Sequence, residues 1–173
     1  MSLTVAIGDP LPSVGLRATD GYLLNLRSWV TKQPVLLVFF GAPTLKGGAA
    51  RRKGLKTIEA LVNGYERLRE AGIAVAGIST DSEQQQSEFA ASQQLPFLLL
   101  SDERRSAVEV LGVDTVAEGG NVNVARPIAI AADRDGIVRL IIDPVDPERL
   151  VDDTIQALSE PLPLPAGDAP ADR

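Results

Sequence analysis

The run Pro34-Val35-Leu36-Leu37-Val38-Phe39-Phe40 most narrows what this chain can become, because it is apolar throughout and rich in β-branched and aromatic residues. A strand with one wet face alternates. One that is apolar on both faces must be covered on both, and the run is too short for a helix, so it is read as the central strand of a sheet. From Leu55 the apolar residues Leu55, Ile58, Leu61, Val62, Tyr65 and Leu68 recur at helical spacing, and Gly72 closes the segment as a C-terminal cap. A second apolar run, Ile73–Ile78, lies too far from the first for a hairpin, so strand, helix and strand form a right-handed βαβ unit.

The remaining signals fit around that unit. Between Pro12 and Leu24, Val14, Leu16 and Ala18 alternate with Ser13, Gly15 and Arg17, and Asp20-Gly21 supplies the turn of a β-hairpin. Asp81, with Gln84 completing a capping box, is expected to start a helix running to Gln93. Pro96–Leu100 forms a short strand, and a second capped helix follows Asp102. Ile128–Ala131 and Ile137–Ile142 flank Asp133-Arg134-Asp135-Gly136 as two antiparallel strands. Asp146 caps a last helix with Pro147 in its first turn and Leu150, Val151, Ile155 and Leu158 as its buried stripe. This order predicts an α/β fold: a mixed central sheet with helices on both faces and an N-terminal β-hairpin. Residues 1–159 are read as one domain. Residues 160–173, with Pro161-Leu162-Pro163-Leu164-Pro165, lose all periodicity and are expected to form a mobile Pro-rich tail.

Composition removes most chemistries. The 173 residues include no Cys and no His, which excludes thiol nucleophiles, disulfides, imidazole bases and nearly every zinc, haem or iron–sulfur site. No cofactor and no metal are expected. Lys and Arg number 17 against 23 Asp and Glu, a net charge of -6, which argues against a broad nucleic-acid footprint. Met1–Asp9 has neither the basic region nor the apolar run of a signal peptide, and no uncharged apolar stretch reaches the roughly 18 residues a membrane span needs. A cytoplasmic protein with no membrane partner is expected. Asp143, Asp146, Asp152 and Asp153 read as capping and surface carboxylates rather than metal ligands. Trp29 reads as a core residue or a homodimer contact.

Against this acidic whole, Lys46, Arg51, Arg52, Lys53 and Lys56 crowd into one span at the expected start of the long helix, where positive charge opposes the macrodipole. An anion held by Lys46, Arg51, Arg52 and the N–H groups of the Gly47-Gly48 turn would compensate. A solvated basic helix face is the other reading. A phosphate-binding P-loop does not fit, because Gly41-Ala42-Pro43-Thr44-Leu45-Lys46 lacks the second Gly before its Lys.

Several segments resemble, in order and spacing, the redoxins of the peroxiredoxin group, the alkyl hydroperoxide reductase and thiol-specific antioxidant family. They are Gly8-Asp9-Pro10-Leu11-Pro12, Phe39-Phe40, Ile78-Ser79-Thr80-Asp81, Leu95–Asp102, Leu111-Gly112-Val113 and Asp133-Arg134-Asp135-Gly136. The resemblance covers roughly Gly8 to Leu158 and implies a thioredoxin-like fold. It also implies reactive thiols in the turn after the first core strand, where a helix N-terminus stabilises thiolate. Counted from Phe39-Phe40, those positions fall at Leu45 and Gly48, neither of which can attack a peroxide. Pro127 falls where thioredoxin-like proteins hold a cis-proline facing that turn and where peroxiredoxins commonly have Arg; here Arg126 is its neighbour. A cis Arg126–Pro127 bond is therefore expected, on an active-site face that includes Thr44, Arg126 and Pro127.

Two functions follow from the resemblance. One is a catalytically inactive, peroxiredoxin-like binding module that takes a protein or peptide segment beside Pro127 or a small anion at Gly47-Gly48. The other is a thiol peroxidase or thiol–disulfide oxidoreductase of the redoxin family whose cysteine is absent from this chain.

Overall fold

A computed structural model describes residues 3–30, 32–41, 47–118 and 121–159. The first elements are the hairpin strands β1 (Gly15–Ala18) and β2 (Leu23–Asn25), the short helix α1 (Leu26–Val30) and the strand β3 (Val35–Phe39). The helix α2 (Ala49–Glu70), β4 (Ala74–Ser79), α3 (Glu83–Gln93), β5 (Leu98–Ser101) and α4 (Ser106–Leu111) come next. A ribbon, β6 (Thr115–Glu118) and β7 (Asn121–Ala125), precedes β8 (Ala129–Ala132), β9 (Val138–Ile142) and α5 (Leu150–Ser159).

Seven strands form one mixed sheet in the order β2-β1-β5-β4-β3-β8-β9, with β3, β4 and β5 parallel and the other pairings antiparallel. Every residue of β3 is fully buried. Its side chains alternate between two cores, because successive residues of a strand point to opposite faces. Val35, Leu37 and Phe39 pack with Leu26 and Val30 of α1 and Ala107, Val108 and Leu111 of α4. Leu36, Val38 and Phe40 pack with Ile58, Leu61 and Leu68 of α2, Phe89 of α3 and Leu150 of α5. Each such apolar side chain contributes roughly 1.5–3 kcal/mol when removed from water. The two-sided apolar run thus places helices on both faces, as its composition predicts.

α2 begins at Ala49, directly after the Gly47-Gly48 turn where the sequence places its start, and ahead of the apolar stripe from Leu55. One helix start differs from the sequence expectation. The capping box of α3 is Ser82 with Gln85, not Asp81 with Gln84: Ser82 Oγ accepts from Gln85 N at 3.1 Å and Gln85 Oε1 accepts from Ser82 N at 2.9 Å. Asp81 is itself buried, and its carbonyl accepts from Ser101 Oγ at 2.7 Å, so it belongs to the strand ends rather than to the helix. Asp102 does cap α4, its two oxygens accepting from Ala107 N and Val108 N at 2.9 Å each. The ribbon β6–β7 has no counterpart in the sequence reading.

Candidate functional site

The C-terminal end of β3 is fixed on three sides. Phe39 N donates to Ile128 O at 2.8 Å and Phe40 N to Ile78 O at 3.0 Å, so the loop through Pro127 and the end of β4 hold the strand where it leaves the sheet. Beneath it, Gly77 has no side chain because the Phe40 ring occupies that space. A β-carbon there would lie 2.9 Å from the ring and 2.8 Å from Leu99 Cδ2. Phe40 also meets Phe89 with ring centroids 6.3 Å apart. A rigid aromatic floor therefore supports the start of the turn.

Thr44, Leu45 and Lys46 lie outside the described residues. The turn is described again from Gly47 (φ 150°) and Gly48, which is the N-cap of α2 at φ 94°, ψ 174°. That combination is open to glycine and essentially closed to residues with a side chain. Gly48 offers α2 no side-chain cap, and its carbonyl accepts from Arg52 N at 3.2 Å. The first turn holds no acidic residue. Arg51 and Arg52 sit in it and Lys53 opens the next turn, with Arg52 exposed and Arg51 already engaged in a contact of its own. Of the basic residues expected at this helix end, Arg51, Arg52 and Lys53 lie near it and Lys56 is exposed about one turn further on, while Lys46 lies outside the described residues.

The expectation of a cis Arg126–Pro127 bond is corrected. The cis bond among the described residues is Asp143–Pro144, and Arg126–Pro127 is trans. Neighbouring bonds hold the loop in its trans path: Arg126 N donates to Asp114 O at 2.9 Å and Val145 N to Pro127 O at 2.8 Å. The Arg126 guanidinium sits between two carboxylates, 2.9 Å from Asp143 and 3.5 Å from Asp114. These bonds use the donor of Arg126 and the carbonyl of Pro127, groups that an extended peptide would need. Sequence reasoning took Asp143 for an unremarkable surface carboxylate and did not single out Asp114. Only the ribbon, whose base brings Asp114 beside Arg126, reveals the clamp. Of the other carboxylates, Asp152 pairs with Arg67 at 2.6 Å and Asp153 lies 3.6 Å from Arg149. No group of acidic residues among the described residues has the arrangement of a metal site.

A sequence model of the AhpC/TSA family matches residues 7–141. The chain belongs to the AhpC/TSA family. It is 31% identical over 138 residues to peroxiredoxin Bcp of Escherichia coli strain K12, covering 79% of this chain and 84% of that protein. It is 32% identical over 152 residues to the chloroplastic peroxiredoxin Q of Populus jackii, covering 87% of this chain and 67% of that one. Among solved structures, peroxidoxin BcpB from Mycobacterium tuberculosis superposes with a TM-score of 0.76 at 22% identity, over 92% of this chain and 97% of that one. The fold is accordingly the thioredoxin-like fold of the peroxiredoxins. Yet this AhpC/TSA chain contains no cysteine anywhere, and of the two positions where the sequence resemblance places the thiols, one is leucine and the other a glycine in a glycine-only conformation. Among the described residues no helix is long and apolar enough to cross a membrane.

What the described site can do is limited by its side chains. It offers backbone N–H groups and guanidinium and ammonium groups, all of them donors and the side-chain groups also cations. These can hold negative charge; none can serve as a nucleophile toward peroxide at neutral pH.

Proposed function

We propose that this chain is a peroxiredoxin-fold protein without thiol chemistry, which binds a small anion or an acidic group at the face formed by the Gly47-Gly48 turn and the first turn of α2. The absence of cysteine carries the reading. Thiol-dependent peroxide reduction and disulfide exchange both need a thiolate, and this sequence has no thiol. Support for the ligand class comes from the basic side chains at the positive end of a long helix whose first turn holds no acidic residue. Pairing with an extended peptide beside Pro127 has weaker support, because the N–H of Arg126 and the carbonyl of Pro127 already have partners.

Loss of hydrogen peroxide and of an alkyl hydroperoxide is measured with dithiothreitol and with a thioredoxin system as reductant. The expected rate equals the uncatalysed one. Turnover clearly above it overturns the proposal and returns the chain to the working peroxidases of its family.

A further inference from the structure

At the opposite pole of the sheet, where β4 starts at Ala74 and β5 at Leu98, lies an open groove of about 610 Å³. It is walled by Trp29, Tyr65, Leu95, Pro96 and Phe97, with Ala91 of α3 on its rim. The Tyr65 and Phe97 rings are 6.2 Å apart and tilted by 35°. Phe97 is buried while Tyr65 and Trp29 are half-buried, so the groove has an apolar base, and its two upper rings carry an O–H and an N–H.

The chain is delivered to this pole. α5 runs beside α2 in the same direction: Glu148 lies near Ala60 and Asn63, Val151 abuts Gly64, and Asp152 pairs with Arg67. α2 leads away from the Gly47-Gly48 turn and ends at Glu70, just before β4. From Val151 to Ser159 the helix advances about 12 Å, and from Gly64 to Glu70 about 9 Å, so both helices finish near the same level. After Ser159 comes Pro161-Leu162-Pro163-Leu164-Pro165, whose alternating prolines favour polyproline II, an extended helix with unpaired carbonyls. Such segments dock in aromatic-lined grooves at low entropic cost, because they are already extended. At about 3.1 Å per residue, the stretch from Ser159 to Pro163 spans about 12 Å, matching the roughly 10–12 Å diameter of α2, the helix that lies between α5 and the groove, and Leu164 and Pro165 extend beyond it.

We propose that this groove is a receptor for an extended proline-rich segment and that its occupant is the proline-rich segment of this same chain, with Pro161 and Leu162 crossing the end of α2 and residues 163–165 in the groove. The segment docks between Trp29 and Tyr65, with Leu164 toward Phe97 and backbone carbonyls toward the polar tips of the upper rings.

Trp29 is the one tryptophan of the sequence, so its fluorescence reports the groove directly. Acrylamide quenching is measured on the full chain, on Leu162→Ser/Leu164→Ser, and on Ala91→Arg, which obstructs the rim at an exposed helical position. Far-UV circular dichroism serves as the check on folding. Quenching is expected to rise at least twofold in both variants. An excess of a synthetic peptide spanning residues 160–166 should reverse it in the leucine variant and not in Ala91→Arg. Unchanged quenching in the leucine variant, or no reversal by the peptide, overturns the assignment. Quenching that depends on protein concentration means that a second copy's segment fills the groove, which overturns the intramolecular form.

Discussion

Gly64 of α2 and Val151 of α5 meet so closely that a β-carbon on Gly64 would stand 2.6 Å from Val151 Cγ2 and 3.0 Å from Cγ1. Both residues are buried. The missing side chain lets α5 lie against α2, so the last helix follows the second half of the long one toward the pole of the aromatic groove.

Gly64→Ala is therefore expected to destabilise the fold despite improving helix propensity. Alanine gains about 0.8–1.0 kcal/mol in a helix interior, while overpacking costs about 1–3 kcal/mol. Valine is stiff at χ1 and presents both methyls to the site, so rotation does not relieve the contact. A net loss of about 1 kcal/mol should appear in urea denaturation, and adding Val151→Ala should recover much of the overpacking term. A single variant more stable than the parent would show that the helices separate freely.

Gly48 gives a second test, because φ 94° with ψ 174° excludes side chains for backbone reasons alone. Gly48→Ala and Gly48→Cys should each lose about 1–3 kcal/mol, and by similar amounts, since the strain begins at the β-carbon. The cysteine variant puts a thiol at one of the positions from which it is missing, and its instability would show that the turn has settled into a glycine-dependent path. Equal urea midpoints for parent and variants would refute this.

Asp102 sets a pH dependence. Burial raises its pKa above the ordinary carboxylate value, outweighing the backbone donors of Ala107, Val108 and Ser106 that act to lower it. Between the ordinary and the raised value the folded state binds more protons than the unfolded one, so stability falls as pH rises through that window. Denaturation midpoints measured upward from about pH 4 should carry this downward component, and Asp102→Asn should remove it. Asn should also lower stability overall, because its amide offers one acceptor oxygen to two helix N–H donors. A pH slope identical in parent and variant would assign the effect elsewhere.

The sheet was legible wherever burial left a pattern. Val35–Phe39 is apolar on both faces because both are covered, and Leu55, Ile58, Leu61 and Leu68 mark α2 because one stripe meets the sheet. The opening of α2 left no such mark, since Arg51, Arg52 and Lys53 face outward or along the surface. Asp81 and Ser82 are equally good caps by residue type. The choice between them is tertiary: Gln86 must reach Ser79 Oγ at 2.9 Å and Leu100 O at 2.7 Å. The ribbon was missed because its strands are short and half polar, although Gly119-Gly120 between Val116 and the alternating Val122 and Val124 is a hairpin signal. That omission hid Asp114, and with it the reason Arg126 points where it does.

The basic first turn of α2 supplies the last prediction. Cations at a helix N-terminus oppose the macrodipole by about 0.3–1 kcal/mol each, so Arg51→Gln/Arg52→Gln should stabilise the protein in buffer without multivalent anions. The existing contact of Arg51 offsets part of that gain. With sulfate present at matched ionic strength the order should reverse, because the parent gains stability by mass action from a bound anion and the variant does not. Thermal melts of both proteins with and without sulfate decide between ligand and solvent. If sulfate raises both melting temperatures equally, its effect is general exclusion from the protein surface, and the basic turn is a solvated helix end.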